Sequence, residues 1–66
     1  MTGEEFRTIR KRLQMTQAAL ASRLEIAPNS VSRWEMASNQ GRWPVPKWAA
    51  REVTRMLREH DLDFVP

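Results

Sequence analysis

Hydrophobic side chains recur every three or four residues along most of this chain, which is the spacing of one face of an α-helix. In the first segment, Phe6, Ile9 and Leu13 follow this pattern, and a capping-box spacing begins at Thr2. These positions predict a first helix over residues 3 to 13. No segment shows the alternating pattern of a β-strand.

Two short amphipathic segments come next. The first predicts a helix over residues 16 to 24 that has Thr16 available as its N-cap and an apolar side formed by Ala18, Leu20, Ala21 and Leu24. The second begins at Pro28, a residue pre-organised for the first helical position, and directs Val31 and Trp34 inward. Because only three residues separate them, the helices must cross steeply, with Ile26 buried beneath the corner. This pattern is typical of a helix-turn-helix, in which the second helix keeps its outer face for a DNA major groove.

The rest of the chain predicts a loop, a long helix and a tail. Residues 38 to 44 lack periodicity, and Pro46 opens a helix that is expected to reach about His60. Its broad apolar face comprises Trp48, Ala49, Val53, Met56, Leu57 and His60. Residues 61 to 66 are predicted to be an extended C-terminal tail. The predicted fold class is therefore all-α: a single compact domain over residues 1 to 66, with four or five helices and the helix-turn-helix at helices 2 and 3.

Length and composition narrow the function further. A chain of 66 residues leaves little room for a large buried active site. Without cysteine, and with His60 as the one histidine, neither a disulfide framework nor a metal site is expected. The sequence offers no set of nucleophile, base and orienting group, so we expect no enzyme and no cofactor. No apolar run approaches bilayer length, and Glu4 and Glu5 stand where a signal peptide would be basic, which predicts a cytoplasmic protein without membrane contact.

The charge is distributed unevenly. The formal net charge is +3, yet residues 7 to 58 hold all eleven lysines and arginines against three acidic residues, an excess of eight. A basic body with acidic ends suits a polyanionic partner such as double-stranded DNA, although arginine-rich helices can also be simply solvated. The stripe of Lys47, Arg51, Arg55 and Arg58 leaves both alternatives open.

The segments TQAALASRL and SVSRWE, at this separation and with a helix on each side, resemble the lambda-type repressor and Cro family, also called the xenobiotic-response-element family. The resemblance covers about residues 6 to 57 and implies a lambda-repressor-like DNA-binding domain. It implies base contacts from the recognition helix at Pro28, Asn29, Ser32 and Arg33. It also implies DNA phosphate contacts at Gln17, Ser38, Asn39, Gln40 and Arg42, and a structural ion pair between Arg10 and Glu35, which is either partly buried or on the surface. Ser30 is expected either to contact DNA phosphate or to cap locally.

The chemistry of these residues supports the implied roles unevenly. Arg33 can donate two hydrogen bonds to guanine O6 and N7, and Asn29 can pair with adenine N6 and N7. Pro28 has no donor and can offer only apolar contact. Gln17 is either a phosphate contact or a solvated first-turn residue. Trp43 either packs against helix four or lies at the edge of the DNA groove.

Three positions depart from the family pattern. Glu25 stands where the turn usually has glycine, and a side chain in a left-handed conformation costs about 1 kcal/mol. Ala27 replaces the usual serine or threonine N-cap, a loss that Pro28 partly offsets. Met36 and the residue after it replace an expected glycine, which favours an extension of the recognition helix.

The predicted function is a transcriptional repressor, autoregulatory and of phage or mobile-element type, that binds an inverted-repeat operator as a homodimer. The predicted dimer contact lies at the end of helix four and in the tail: Met56, Leu57, His60, Leu62, Phe64 and Val65. The alternative is a protein-binding module that also binds DNA, such as a small antitoxin whose apolar C-terminal residues hold a partner enzyme.

Overall fold

The computed structural model describes residues 1–36 and 42–63. Four helices account for most of them: α1 (Gly3–Arg12), α2 (Gln17–Arg23), α3 (Pro28–Glu35) and α4 (Lys47–Asp63). The described ranges contain no strand. Helix α3 packs against α2 and α1, and α4 packs against α1. This architecture confirms the predicted all-α class with a helix-turn-helix at α2 and α3.

Side chains cap the first two helices as the sequence predicts. The Thr2 hydroxyl accepts from the Glu5 N–H at 3.0 Å, and the Thr2 N–H donates to the Glu5 carboxylate at 3.1 Å, which completes a capping box. These bonds hold the pKa of Glu5 below its ordinary value, so their stabilisation is lost as the pH falls through that lowered pKa. Thr16 caps α2 by accepting from the Ala19 N–H at 3.0 Å. At α3, Ala27 makes no side-chain cap and Pro28 occupies the first turn.

Helices α1 and α2 end in the same way, each with a non-glycine residue in the left-handed region. Gln14 and Glu25 both have a φ of 59°. After α2, the Ile26 N–H bonds to the Ala21 carbonyl at 2.9 Å and the Glu25 N–H bonds to the Ser22 carbonyl at 3.2 Å, which is a Schellman motif. The turn therefore keeps the left-handed geometry although Glu25 replaces the usual glycine. Gln14 at the end of α1 is an equivalent position that the sequence pattern did not reveal.

Substituting glycine at these two positions is expected to stabilise the fold. Glu25→Gly and Gln14→Gly each remove a Cβ from a left-handed residue, which should raise the free energy of unfolding by about 1 kcal/mol. Thermal unfolding should then show a melting temperature higher by about 4–8 °C for each variant. Glu25→Ala is the matched control, because it removes the carboxylate and keeps the Cβ. An equal rise in Glu25→Ala would assign the gain to charge and contradict the backbone explanation.

The core lies between the helices and is built around Phe6, Leu20, Val31 and Val53, which have no exposed surface. Trp34 packs against this cluster and meets Phe6 edge-on, with 5.5 Å between ring centroids. Trp34 is thus the core anchor that its spacing predicts.

Other core predictions are correct in part. Leu20, Ala21 and Leu24 are buried as expected, and Ile26 is half-buried against the core. Ala18 is exposed, so its predicted place on the apolar side of α2 is wrong. The apolar face of α4 is narrower than predicted: Ala49, Val53 and Met56 are buried, whereas Trp48 is 48% exposed in the first turn.

Two helix ends differ from the prediction. The recognition helix α3 stops at Glu35 and is not extended, because Met36 has extended backbone (φ −66°, ψ 122°) and its N–H closes the last turn onto the Arg33 carbonyl at 3.3 Å. Helix α4 runs past His60 to Asp63, since no glycine or proline stands there to end it. Leu62, which the sequence predicts to lie in an extended tail, is therefore helical.

Candidate nucleic-acid interface

The recognition helix α3 turns a polar face outward. Val31 is fully buried and fixes the rotation of the helix about its axis. The residues with predicted base contacts then lie on the outer side: Pro28, Asn29 and Arg33 are exposed, and Ser32 is half-buried, as is the predicted phosphate contact Ser30. The helix-turn-helix thus presents an amide and a guanidinium, the two groups best suited to base edges, on one outward surface.

Arg33 is held by an aromatic neighbour. Its guanidinium carbon lies 4.8 Å from the centre of the Trp43 ring, within the range of a cation–π contact. Trp43 belongs to the segment before α4 and is 46% exposed. The sequence predicts that Trp43 either packs against helix four or lies at the edge of the DNA groove. Neither prediction includes this contact with α3.

Arg10 and Glu35 form the predicted ion pair, which joins α1 to the end of α3. The Arg10 Nε donates to Glu35 Oε2 at 2.8 Å, and Nη2 donates to Oε1 at 2.9 Å. The third nitrogen, Nη1, donates to the Met15 carbonyl at 2.9 Å. The side chains are only 11% and 3% exposed, respectively. This is a bidentate pair that is largely removed from water.

Gln17 extends this network to the start of α2. Its Nε2 donates to Glu35 Oε1 at 3.3 Å, and the residue is half-buried, so Gln17 is more than a solvated first-turn side chain. A shallow groove of about 340 Å³ opens beside it, lined by Arg7, Arg10, Gln17, Ser32, Glu35 and Met36. The sequence reasoning missed Arg7, whose signal was its place one helical turn before Arg10.

The remaining predicted phosphate contacts follow α3 in the sequence. Arg42 is exposed. Ser38, Asn39 and Gln40 lie outside the described residues.

The basic stripe on α4 is partly paired within its own helix. Arg55 binds Glu52 and lies 3.8 Å from Glu59, and the bond to Glu52 is the main cause that raises the pKa of Arg55. Lys47, Arg51 and Arg58 are exposed.

The residues predicted for a dimer contact differ in how far they are exposed. Met56 is buried in the core of its own chain, so its assignment to a contact between chains is wrong. Leu57 and His60 are half-buried, and Leu62 is 65% exposed. Phe64 and Val65 lie outside the described residues.

Residues 1–36 and 42–63 offer neither a metal site nor a helix that could span a membrane. No group of three or more histidine, cysteine, aspartate or glutamate side chains there could hold a metal ion. No helix in these ranges has both the length and the apolar character that crossing a bilayer needs.

Comparison with known proteins agrees with this geometry. No curated protein and no solved structure matches the chain significantly. A family model described as a helix-turn-helix domain matches residues 3–63, which include all four helices. The chain belongs to the helix-turn-helix domain family.

Proposed function

We propose that this protein is a sequence-specific repressor of transcription of the lambda-type repressor and Cro kind, which binds double-stranded DNA and occludes a promoter. The observation that carries the proposal is the outer face of α3, where Asn29 and Arg33 are exposed while Val31 holds the opposite face in the core. Arg33 pairs with guanine and Asn29 with adenine in the major groove, which gives base discrimination.

Phosphate contacts on both sides of the recognition helix supply the affinity. Gln17 lies at the start of α2 and Arg7 lines the same groove, so both face one DNA strand. In this proposal the exposed Arg42 contacts the other strand. Such contacts attract DNA of any sequence, and they weaken as salt rises because the release of counterions into a more concentrated solution gains less free energy.

In this proposal, the repressor binds an inverted repeat as a homodimer. Leu62 exposes most of its side chain near the end of α4, and Leu57 and His60 are half-buried on the same helix. Pairing two copies there, with the apolar residues Phe64 and Val65, covers this surface. A two-fold dimer places its recognition helices about 34 Å apart, which matches successive major grooves on one side of DNA.

Selection of bound sequences from random duplex DNA, followed by titration of two arginine variants, tests the proposal. Arg33→Ala should lose about 1–3 kcal/mol of preference for the selected operator over a scrambled duplex, because its bidentate contact distinguishes bases. Arg42→Ala is the matched control: it should weaken binding to both duplexes alike and reduce the slope of log affinity against log salt by about one. The same titration should saturate at two chains per operator.

Three outcomes would contradict specific parts of the proposal. If no sequence is enriched, the protein is not a sequence-specific binder. If Arg33→Ala weakens both duplexes equally, Arg33 contacts phosphate and not bases. Saturation at one chain per site, with single half-sites enriched, would contradict the proposed dimer.

A further inference from the structure

Trp43 contacts the recognition helix from a segment outside the helix-turn-helix. Trp34 and Trp48 meet edge-on, with 6.2 Å between their ring centroids, and Trp34 joins them to Phe6 and the core. Nearly half of the surface of Trp43 is exposed. Its described ring contact is with the guanidinium of Arg33 on the recognition helix.

The backbone that carries Trp43 is restrained. Pro44 follows it directly, and the residue before a proline is confined to extended conformations. Val45 packs against the core, and Pro46 fixes the next φ angle before α4 begins at Lys47. The indole is therefore presented to α3 from a segment that is anchored to the core, and not from a freely moving loop.

We propose that Trp43 is a positioning residue for base recognition: its indole holds the Arg33 guanidinium in the orientation that meets a guanine. This inference rests on the proposed function of α3. It assigns a specificity role to a residue outside the helix-turn-helix, at a point of the chain that joins the loop to α4.

The geometry of an arginine allows stacking and base contact together. The N–H groups of a guanidinium lie in its plane and point from its edge, whereas a cation–π contact uses its face. An exposed arginine loses rotamer freedom when it docks, and a side chain that is already ordered loses less. Stacking on Trp43 therefore favours operator binding over binding to other DNA, where Arg33 makes no base contact.

The test compares Trp43→Ala, Trp43→Leu and Trp43→Phe on the selected operator and on a scrambled duplex at one salt concentration. An exposed cation–π contact predicts that Trp43→Ala and Trp43→Leu weaken operator binding about two- to fivefold, with the scrambled duplex unaffected. Trp43→Phe keeps an aromatic face and should restore most of the preference. Trp48→Leu is the exposure-matched control and should leave the preference unchanged.

A double variant separates positioning from direct DNA contact. If Trp43 acts through Arg33, Arg33→Ala combined with Trp43→Ala binds the operator no more weakly than Arg33→Ala alone. Additive losses would mean that the indole contacts DNA itself and would overturn the proposal. Equal losses on operator and scrambled duplex, or no loss with Trp43→Ala, would overturn it as well.

A measurement without DNA distinguishes failure of this inference from failure of the proposed function. In the free protein, the Nε–Hε group of Arg33 should show restricted motion and a ring-current shift in NMR spectra, and Trp43→Leu should abolish the ring-current shift and increase the motion. If wild-type protein prefers no sequence, both the proposed function and the positioning role of Trp43 are wrong. If wild-type protein prefers its operator while Arg33 is mobile in the free state, only the role of Trp43 is wrong.

Discussion

Replacing Glu35 by alanine is expected to lower the free energy of unfolding by about 3–5 kcal/mol, most of what a domain of this size can hold. The carboxylate accepts two hydrogen bonds from Arg10 and one from Gln17. Without it, the Arg10 guanidinium keeps one bond, to the Met15 carbonyl, in a site that exposes a tenth of its side chain. A buried charge without its counter-ion is far more costly than the intact pair is stabilising.

Thermal and urea unfolding measure this effect. The melting temperature of Glu35→Ala should fall by about 15 °C or more. The matched control is Glu59→Ala, because Glu59 pairs with Arg55 at 3.8 Å while both side chains are 62% exposed, and it should leave the melting temperature nearly unchanged. A similar small change for Glu35→Ala would mean that water reaches Arg10 freely once the carboxylate is removed.

A double variant separates loss of the pair from burial of an unpaired charge. Arg10→Met combined with Glu35→Met replaces both ions by flexible apolar side chains, and such replacements of buried ion pairs are often close to neutral. The double variant should therefore be more stable than Glu35→Ala. For Glu35→Ala protein measured below its melting temperature, the preference for operator over scrambled duplex should persist, because Arg10 and Glu35 line the groove assigned to phosphate contacts and are not among the residues assigned to base contacts.

Hydrophobic periodicity was sufficient to predict the four helices and most of the core. Phe6, Leu20, Val31 and Val53 lie on four different helices, and in each helix apolar residues recur at helical spacing because one side turns toward the shared interior. The N-terminal caps at Thr2 and Thr16 could also be predicted from the sequence, since a capping bond joins residues only three positions apart in the chain.

Other features depend on distances that periodicity does not encode. Met56 fits both a core and an interface pattern, and only the packing of α4 on α1 decides for the core. The contact of Arg33 with Trp43 joins residues of different segments, so neither helical spacing nor charge predicts it. Arg7 becomes part of the candidate site because α1 places it beside Gln17 across a groove.

Gly3→Ala is the second substitution with a large expected effect, and helix propensity predicts the opposite sign. Alanine favours a helix over glycine by about 0.5–1 kcal/mol, so propensity alone would make this variant more stable. In the fold, however, a Cβ at residue 3 would lie 1.9 Å from the Trp34 carbonyl oxygen and 3.0 Å from its carbonyl carbon. Both are backbone atoms of α3, so they cannot turn aside as a flexible side chain can.

The close approach of α1 to the end of α3 therefore requires a residue without a side chain. We expect Gly3→Ala to lower the free energy of unfolding by about 3 kcal/mol, because α1 must either move away from α3 or give up its first turn and the capping box at Thr2. Glu4→Ala, an exposed change in the same turn, is the matched control and should have little effect. Urea unfolding of the two variants decides the matter: a Gly3→Ala protein as stable as the wild type would show that α1 and α3 lie further apart at this point than a methyl group requires.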